Sequence, residues 1–237
     1  METTRKRKVL IVGGSRGLGL ALASHFCRRG HETVILSRRA PCAAIDAEII
    51  SDDAAHAGIA EQRLREIDPN LLIVNFALGI YRRPETLTDA EIGRGIEINA
   101  TGAIRWLSAA IRLLPPGARI GWISSLTALV PDEIWAIYAA TKTAVNHFIE
   151  CVRPQAAQRG IRLTVCYPGC LQTDFHRAAG AENAPPEAAA PDDIAGALGA
   201  AIEDGLEFWA AEMDAVAVER YYELRRQFSA SAEGKLR

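Results

Sequence analysis

Tyr138 and Lys142 stand four residues apart in the run Ile137-Tyr138-Ala139-Ala140-Thr141-Lys142. On a helix, that spacing puts a phenol and an ammonium on one face. A free phenol, with a pKa of about 10, is a poor acid or base near neutrality. A fixed ammonium nearby favours phenolate and lowers that value, toward the range where general acid–base catalysis works best. The small residues between the two leave room for a flat ligand. The plain alternative is an ordinary helix surface, because this spacing is common by chance.

Two further polar residues belong with the pair. Ser125 lies thirteen residues before Tyr138, in Ser124-Ser125 at the end of an expected strand Arg119–Ser124. Strand ends of parallel sheets are where such folds bind ligands, and the hydroxyl there suits a carbonyl oxygen. Asn99 falls inside an expected helix, Ile92–Leu114, which is unfavourable for asparagine unless a hydrogen bond offsets the cost. A solvent-facing position is the other reading of Asn99.

A second stretch with chemical meaning is Val12-Gly13-Gly14-Ser15-Arg16-Gly17-Leu18-Gly19. Glycines permit a tight turn and close backbone approach to a pyrophosphate, and a following helix adds N–H groups and a favourable dipole. Its place between an apolar strand and a helix makes it a dinucleotide site. The second strand ends Ser37-Arg38-Arg39, with no carboxylate for a ribose 2′-hydroxyl. Guanidinium groups at Arg38 and, within the turn, Arg16 suit a 2′-phosphate, so NADP(H) is expected in preference to NAD(H). Solvated loop charge is the alternative for Arg38 and Arg39.

The elements that must position these residues alternate along the chain. Apolar strands are expected at Val9–Val12, Thr33–Leu36, Glu48–Ile50, Leu71–Phe76, Arg119–Ser124 and Arg162–Tyr167. Helices are expected at Leu18–Arg28, Ala60–Ile67, Ile92–Leu114, Tyr138–Arg159, Asp192–Ile202 and Asp214–Gln227. This pattern predicts an α/β fold, a doubly wound parallel sheet with helices on both faces, forming one domain over residues 1–237. Arg177–Pro191 has no period and is expected to be a mobile substrate flap.

With 237 residues, 49% hydrophobic and 24% charged, and a net charge of −2, the composition is that of an ordinary globular protein. It gives no general attraction to nucleic acid or membrane, and the basic run Arg5–Lys8 reads as a solvated terminus. The five cysteines form no CxxC pair and no zinc pattern, so they read as reduced thiols and no metal is expected. Neither a membrane-length apolar segment nor a signal peptide is apparent, and the expected location is cytoplasmic.

These motifs, in this order and spacing, resemble the short-chain dehydrogenase/reductase family over nearly the whole chain, to about Glu203. Gly13–Gly19 is similar to the family's glycine turn. Asn99, Ser125, Tyr138 and Lys142 are similar to its catalytic tetrad, and Pro168-Gly169 with Thr173 to its later cofactor-contacting segment. The resemblance implies a Rossmann-type fold and an NADPH-dependent carbonyl reductase, or the reverse alcohol dehydrogenase, acting on a small and largely apolar substrate. Tyr138 would donate the proton and Ser125 would polarise the substrate oxygen. Lys142 would hold the nicotinamide ribose and lower the tyrosine pKa, while Asn99 would anchor a proton-relaying water.

For the cofactor, the resemblance implies contacts from the turn at Gly13, Ser15, Arg16, Gly17, Leu18 and Gly19, and from Ser37 and Arg38. Asn75, Ala77, Tyr138, Lys142, Pro168 and Gly169 would follow along it, with Thr173 fixing the carboxamide. Asp52 or Asp53 would meet the adenine. A homodimer or homotetramer built on the two long helices is implied, with Ile104, Leu107, Val145 and Phe148 at its interface or in the core. Trp135 and Phe175 line the substrate pocket or belong to the core.

Two departures from the family stand out. Val12 replaces the usual threonine before the first glycine. Asn75-Phe76-Ala77-Leu78-Gly79 replaces Asn-Asn-Ala-Gly, by substitution of the glycine or by an insertion before Gly79. The altered loop supports an alternative, an NADP(H)-binding sensor or regulator without turnover. An epimerase or dehydratase on the same fold is a third reading.

Overall fold

The first apolar run, Lys8–Val12 (β1), has the side chains of Val9 to Val12 fully buried, as an inner strand of a parallel sheet requires. In a computed structural model, which describes residues 6–211 and 215–233, β1 leads into helix α1 (Gly17–Arg28) and strand β2 (Glu32–Ser37). Strand β3 (Glu48–Ser51), helix α2 (Ile59–Ile67) and strand β4 (Leu71–Val74) follow. Next come helices α3 (Asp89–Gly95) and α4 (Ala103–Leu113), strand β5 (Arg119–Ile123), helix α5 (Ala136–Gln158) and strand β6 (Arg162–Tyr167). The short helix α6 (Phe175–Ala179), helix α7 (Pro191–Asp204), strand β7 (Phe208–Ala210) and helix α8 (Ala215–Glu233) complete it.

The seven strands pair in parallel in the order β3-β2-β1-β4-β5-β6-β7. Growth of the sheet reverses between β1 and β4, which opens a crevice at their C-terminal ends. Alternation along the strands divides the core. Leu10, Val12, Leu72 and Val74 pack toward α2, α4 and α5, whereas Val9, Ile11, Ile35 and Ile73 pack toward α1 and α7. The chain therefore has the doubly wound Rossmann-type sheet that its sequence predicts.

Several boundaries differ for local reasons. Strand β4 stops at Val74 rather than Phe76, because the N–H groups of Asn75 and Phe76 converge on the Val12 carbonyl, at 2.9 and 3.1 Å. The expected helix Ile92–Leu114 is divided into α3 and α4 by a wider π-type turn at Ile96–Gly102. It also starts earlier, where Thr88 and Glu91 cap each other's backbone N–H groups. The stretch 177–191, expected as a mobile flap, includes part of α6 and is pinned at its end. Leu171 bridges Ala189, Gln172 N–H donates to the Ala189 carbonyl at 2.9 Å, and the Gln172 amide donates to Ala188 at 2.7 Å.

Strand β7 was not expected; three residues are too few to show a period. Its Phe208 stacks on Tyr222 of α8 at 4.4 Å and anchors that helix. Asp214, the expected start of α8, and Arg5 lie outside the described residues. Leu107 and Val145 are fully buried core residues, which leaves only the partly buried Ile104 and Phe148 of that set for a partner. No helix among the described residues is long and apolar enough to cross a membrane.

Candidate active site

Helix α5 begins at Ala136, so Tyr138 falls in its first turn and Lys142 one turn later, both buried. The Lys142 ammonium donates to the Ile123 carbonyl at 2.7 Å and is only 1% exposed. Burial draws its pKa down to about 7. The Tyr138 phenol moves the other way. Burial pushes its pKa well above the usual value, and a hydrogen bond with Ser125 only partly offsets this. The expected lowering by Lys142 is therefore not what this arrangement produces, since desolvation dominates.

That desolvation comes from an aromatic cluster. Trp135 lies edge-on to Tyr138 with centroids 5.5 Å apart, and Phe175 is tilted against it at 5.4 Å. Phe175 in turn stacks on Trp135 at 5.8 Å. On the other side, Ser125 Oγ accepts from the Thr127 N–H at 3.3 Å and from the Thr127 hydroxyl at 3.0 Å. The Ser125 proton is left to donate to an oxygen beside Tyr138.

Ser125, Tyr138 and Lys142 line one end of an elongated cavity of about 560 Å³, a size usual for small-molecule clefts. Its other end is the glycine turn, with Gly13, Ser15, Arg16, Gly17 and Leu18 in the wall. Gly13 has φ +92°, and a side chain there would come within 2.7 Å of the Phe76 backbone nitrogen. Helix α1 opens here with no capping side chain and no acidic residue in its first turn, so its N–H groups and dipole are free to face an anion. Ser37, Arg38 and Asp52 border this end, with Asp53 and Arg39 beside them. Asn75, Ala77, Pro168, Gly169 and Thr173 also line the cavity, with Thr173 beside Gly17 of the turn.

Two expected site residues are not in the wall. Gly19 packs beneath the turn, where a side chain would meet the Gly13 carbonyl at 2.2 Å, so it lets α1 approach the sheet. Asn99 is 1% exposed and grips the altered loop: its Oδ1 accepts from the Leu78 N–H at 2.6 Å and its Nδ2 donates to the Leu78 carbonyl at 2.8 Å. The amide also reaches the Thr141 hydroxyl at 3.3 Å. Its offsetting bonds thus run to a loop and to α5, and it sits in the π-type turn that aims it there.

The known proteins most informative here agree. The family model for short chain dehydrogenases matches residues 7–184. The chain belongs to the short-chain dehydrogenase family. It is 28% identical over 186 residues to an uncharacterized oxidoreductase of Myxococcus xanthus, covering 71% of this chain and 74% of the relative. It is 25% identical to the 3-oxoacyl-[acyl-carrier-protein] reductase MabA of Mycobacterium tuberculosis, covering 73% and 72%. A cyclic-di-GMP-binding biofilm dispersal mediator protein of Escherichia coli is 27% identical over 73% of this chain and 77% of its own. Among solved structures, a short-chain dehydrogenase of Sphingobium yanoikuyae in complex with NADPH shares the fold. Its TM-score is 0.79 at 24% identity, covering 94% and 95% of the two chains.

A dinucleotide cofactor fits this dehydrogenase's cavity on three counts: the uncapped start of α1, the glycine that lets backbone come close, and two cations with nothing to neutralise them. Arg38 and Arg39 are exposed and pair with no carboxylate among the described residues. Arg16 is 3.9 Å from Asp174, a half-exposed and weak contact. Ser37 donates its hydroxyl to the Arg39 carbonyl at 2.7 Å, which shapes the turn that presents both arginines. Asp52 is ion-paired to Arg63 at 2.7 Å, and that bond holds its carboxyl below the usual range. Asn75 donates to the Gly13 carbonyl at 2.6 Å and ties β4 to the turn.

Sequence reasoning missed other wall residues of the dehydrogenase, among them Leu126, His176 and Arg94. It also missed Asn146, although a step of four from Lys142 on the same helix face was legible. No cluster of metal-binding side chains occurs among the described residues.

Proposed function

We propose that this dehydrogenase is an NADPH-dependent carbonyl reductase, or the reverse alcohol dehydrogenase, acting on a small and largely apolar substrate. The observation that carries the reading is one cavity with Ser125, Tyr138 and Lys142 at one end and unneutralised arginines beside an uncapped helix at the other. NADPH bound along it supplies the hydride. Tyr138, whose buried phenol is protonated at neutral pH, donates its proton to the substrate oxygen. Ser125 donates a hydrogen bond to the same oxygen and orients the substrate.

Lys142 holds the nicotinamide ribose hydroxyls, and its charge favours the phenolate that proton donation leaves behind. Arg38, with Arg16 and Arg39 near it, takes the 2′-phosphate. Asn99 acts through the Leu78 loop rather than at the reacting atoms. Trp135 and Phe175 give the substrate end its apolar surface. A homodimer or homotetramer would use the faces around Ile104 and Phe148.

Stopped-flow loss of NADPH absorbance against a panel of ketones tests this reading. If NADPH binds tightly and no ketone oxidises it, the reductase reading fails. That outcome would favour the second reading, an NADP(H)-dependent sensor, which the packing of Phe175 and Trp135 over Tyr138 supports.

A further inference from the structure

Asn146 extends the Tyr138–Lys142 face of α5 by one more turn, at another four-residue step. It is only 6% exposed, and a buried amide needs partners for its polar atoms. Its Oδ1 accepts the indole N–H of Trp122 at 2.9 Å and the hydroxyl of Ser124 at 2.8 Å. Its Nδ2 donates to the Tyr167 hydroxyl at 3.2 Å. The edge of the Trp122 ring is fixed by these bonds.

The face of the same ring lies against Lys142, whose Nζ is 4.1 Å from the ring centroid. An aromatic face carries negative charge density and attracts an ammonium, most strongly where water is excluded. No carboxylate among the described residues pairs with Lys142. Strand β5 offers it the indole and the Ile123 carbonyl, and the titratable neighbour on α5 is Tyr138, with its ring centroid 5.5 Å away. Burial works against the charge, and the indole face is the group placed to counter it.

We propose that Trp122, oriented by Asn146, is a positioning residue for Lys142, favouring its ammonium form over the free amine and holding it at the cavity wall. The proposal rests on Lys142 having the role given above, but its test requires no turnover. The chain has only four lysines, Lys6, Lys8, Lys142 and Lys235, so an NMR titration of carbon-13-labelled lysine resolves each, with Lys142→Arg assigning the signal. Trp122→Leu removes the ring face, and Trp122→Phe keeps one without the indole N–H. Growth on 5-fluorotryptophan leaves the shape nearly unchanged while withdrawing charge from the face.

The midpoint of Lys142 is expected to fall by about one pH unit in Trp122→Leu and by less in Trp122→Phe. The fluorinated protein is expected to show a fall of about a few tenths of a unit. If Trp122→Leu does not fold, Trp122→Phe carries the test together with the fluorinated protein, in which fluorination must leave no shift once Trp122 is phenylalanine. A midpoint unmoved by fluorination, or moved equally by leucine and phenylalanine, overturns the proposal. A midpoint that moves as expected in a protein that reduces no ketone leaves the proposal standing and removes the reductase reading instead.

Discussion

Phe175 lies against Tyr138 with ring centroids 5.4 Å apart and the ring planes tilted by 54°. The first residue of α6 thereby covers the phenol that would do the chemistry, and Trp135, stacked on Phe175, completes the cover. The same contact explains the direction of the Tyr138 pKa and narrows the substrate end of the cavity.

Phe175→Ala should therefore widen that end and admit water to the phenol. Among ketones of increasing bulk, kcat/KM for bulky over small substrates should rise about tenfold. The pH dependence of alcohol oxidation, which needs the deprotonated phenol, should move to lower pH. An unchanged substrate profile would show that the ring does not border the substrate.

Arg38→Asp places a carboxylate where the 2′-phosphate is proposed to sit. Losing a charge-assisted contact and gaining repulsion should weaken NADPH binding about 10- to 100-fold, while NADH binding holds or improves. Fluorescence titration with both cofactors checks this. An unaltered preference would show that the phosphate is held elsewhere.

Lys142 makes stability depend on pH. Its folded pKa, about 7, lies below the 10.5 of an exposed lysine. Between those values the unfolded chain binds the proton and the folded chain does not, so stability rises with pH. Below the folded value both states are protonated and the full cost of burying the charge remains. Urea unfolding of the ligand-free protein at pH 7 and pH 9 should show a gain of about 2 kcal/mol from this residue, absent in Lys142→Met. Equal pH dependence in the two proteins would show that Lys142 does not titrate in this range.

What the sequence reveals here is what local spacing can encode. Tyr138 and Lys142 share a face because they are four apart, and the glycine turn is recognisable from the strand and helix that flank it. Thr88 and Glu91 were equally legible as a helix start. The rest depends on partners far apart in the chain. Asn99 grips Leu78 from 21 residues away, and Trp122 meets Asn146 across 24. The sign of the Tyr138 shift turns on how tightly Phe175 and Trp135 exclude water, which spacing does not carry. Gly19 matches a cofactor motif, yet it serves the packing of α1 beneath that motif.

The central claim is that the Tyr138 phenol protonates a ketone oxygen. Its most direct test is ketone-dependent NADPH oxidation by the unaltered protein and by Tyr138→Phe, with NADPH affinity measured in parallel by fluorescence. The account predicts turnover lowered by about 100- to 10,000-fold in the variant with affinity nearly unchanged. Turnover that survives the loss of the hydroxyl would contradict it.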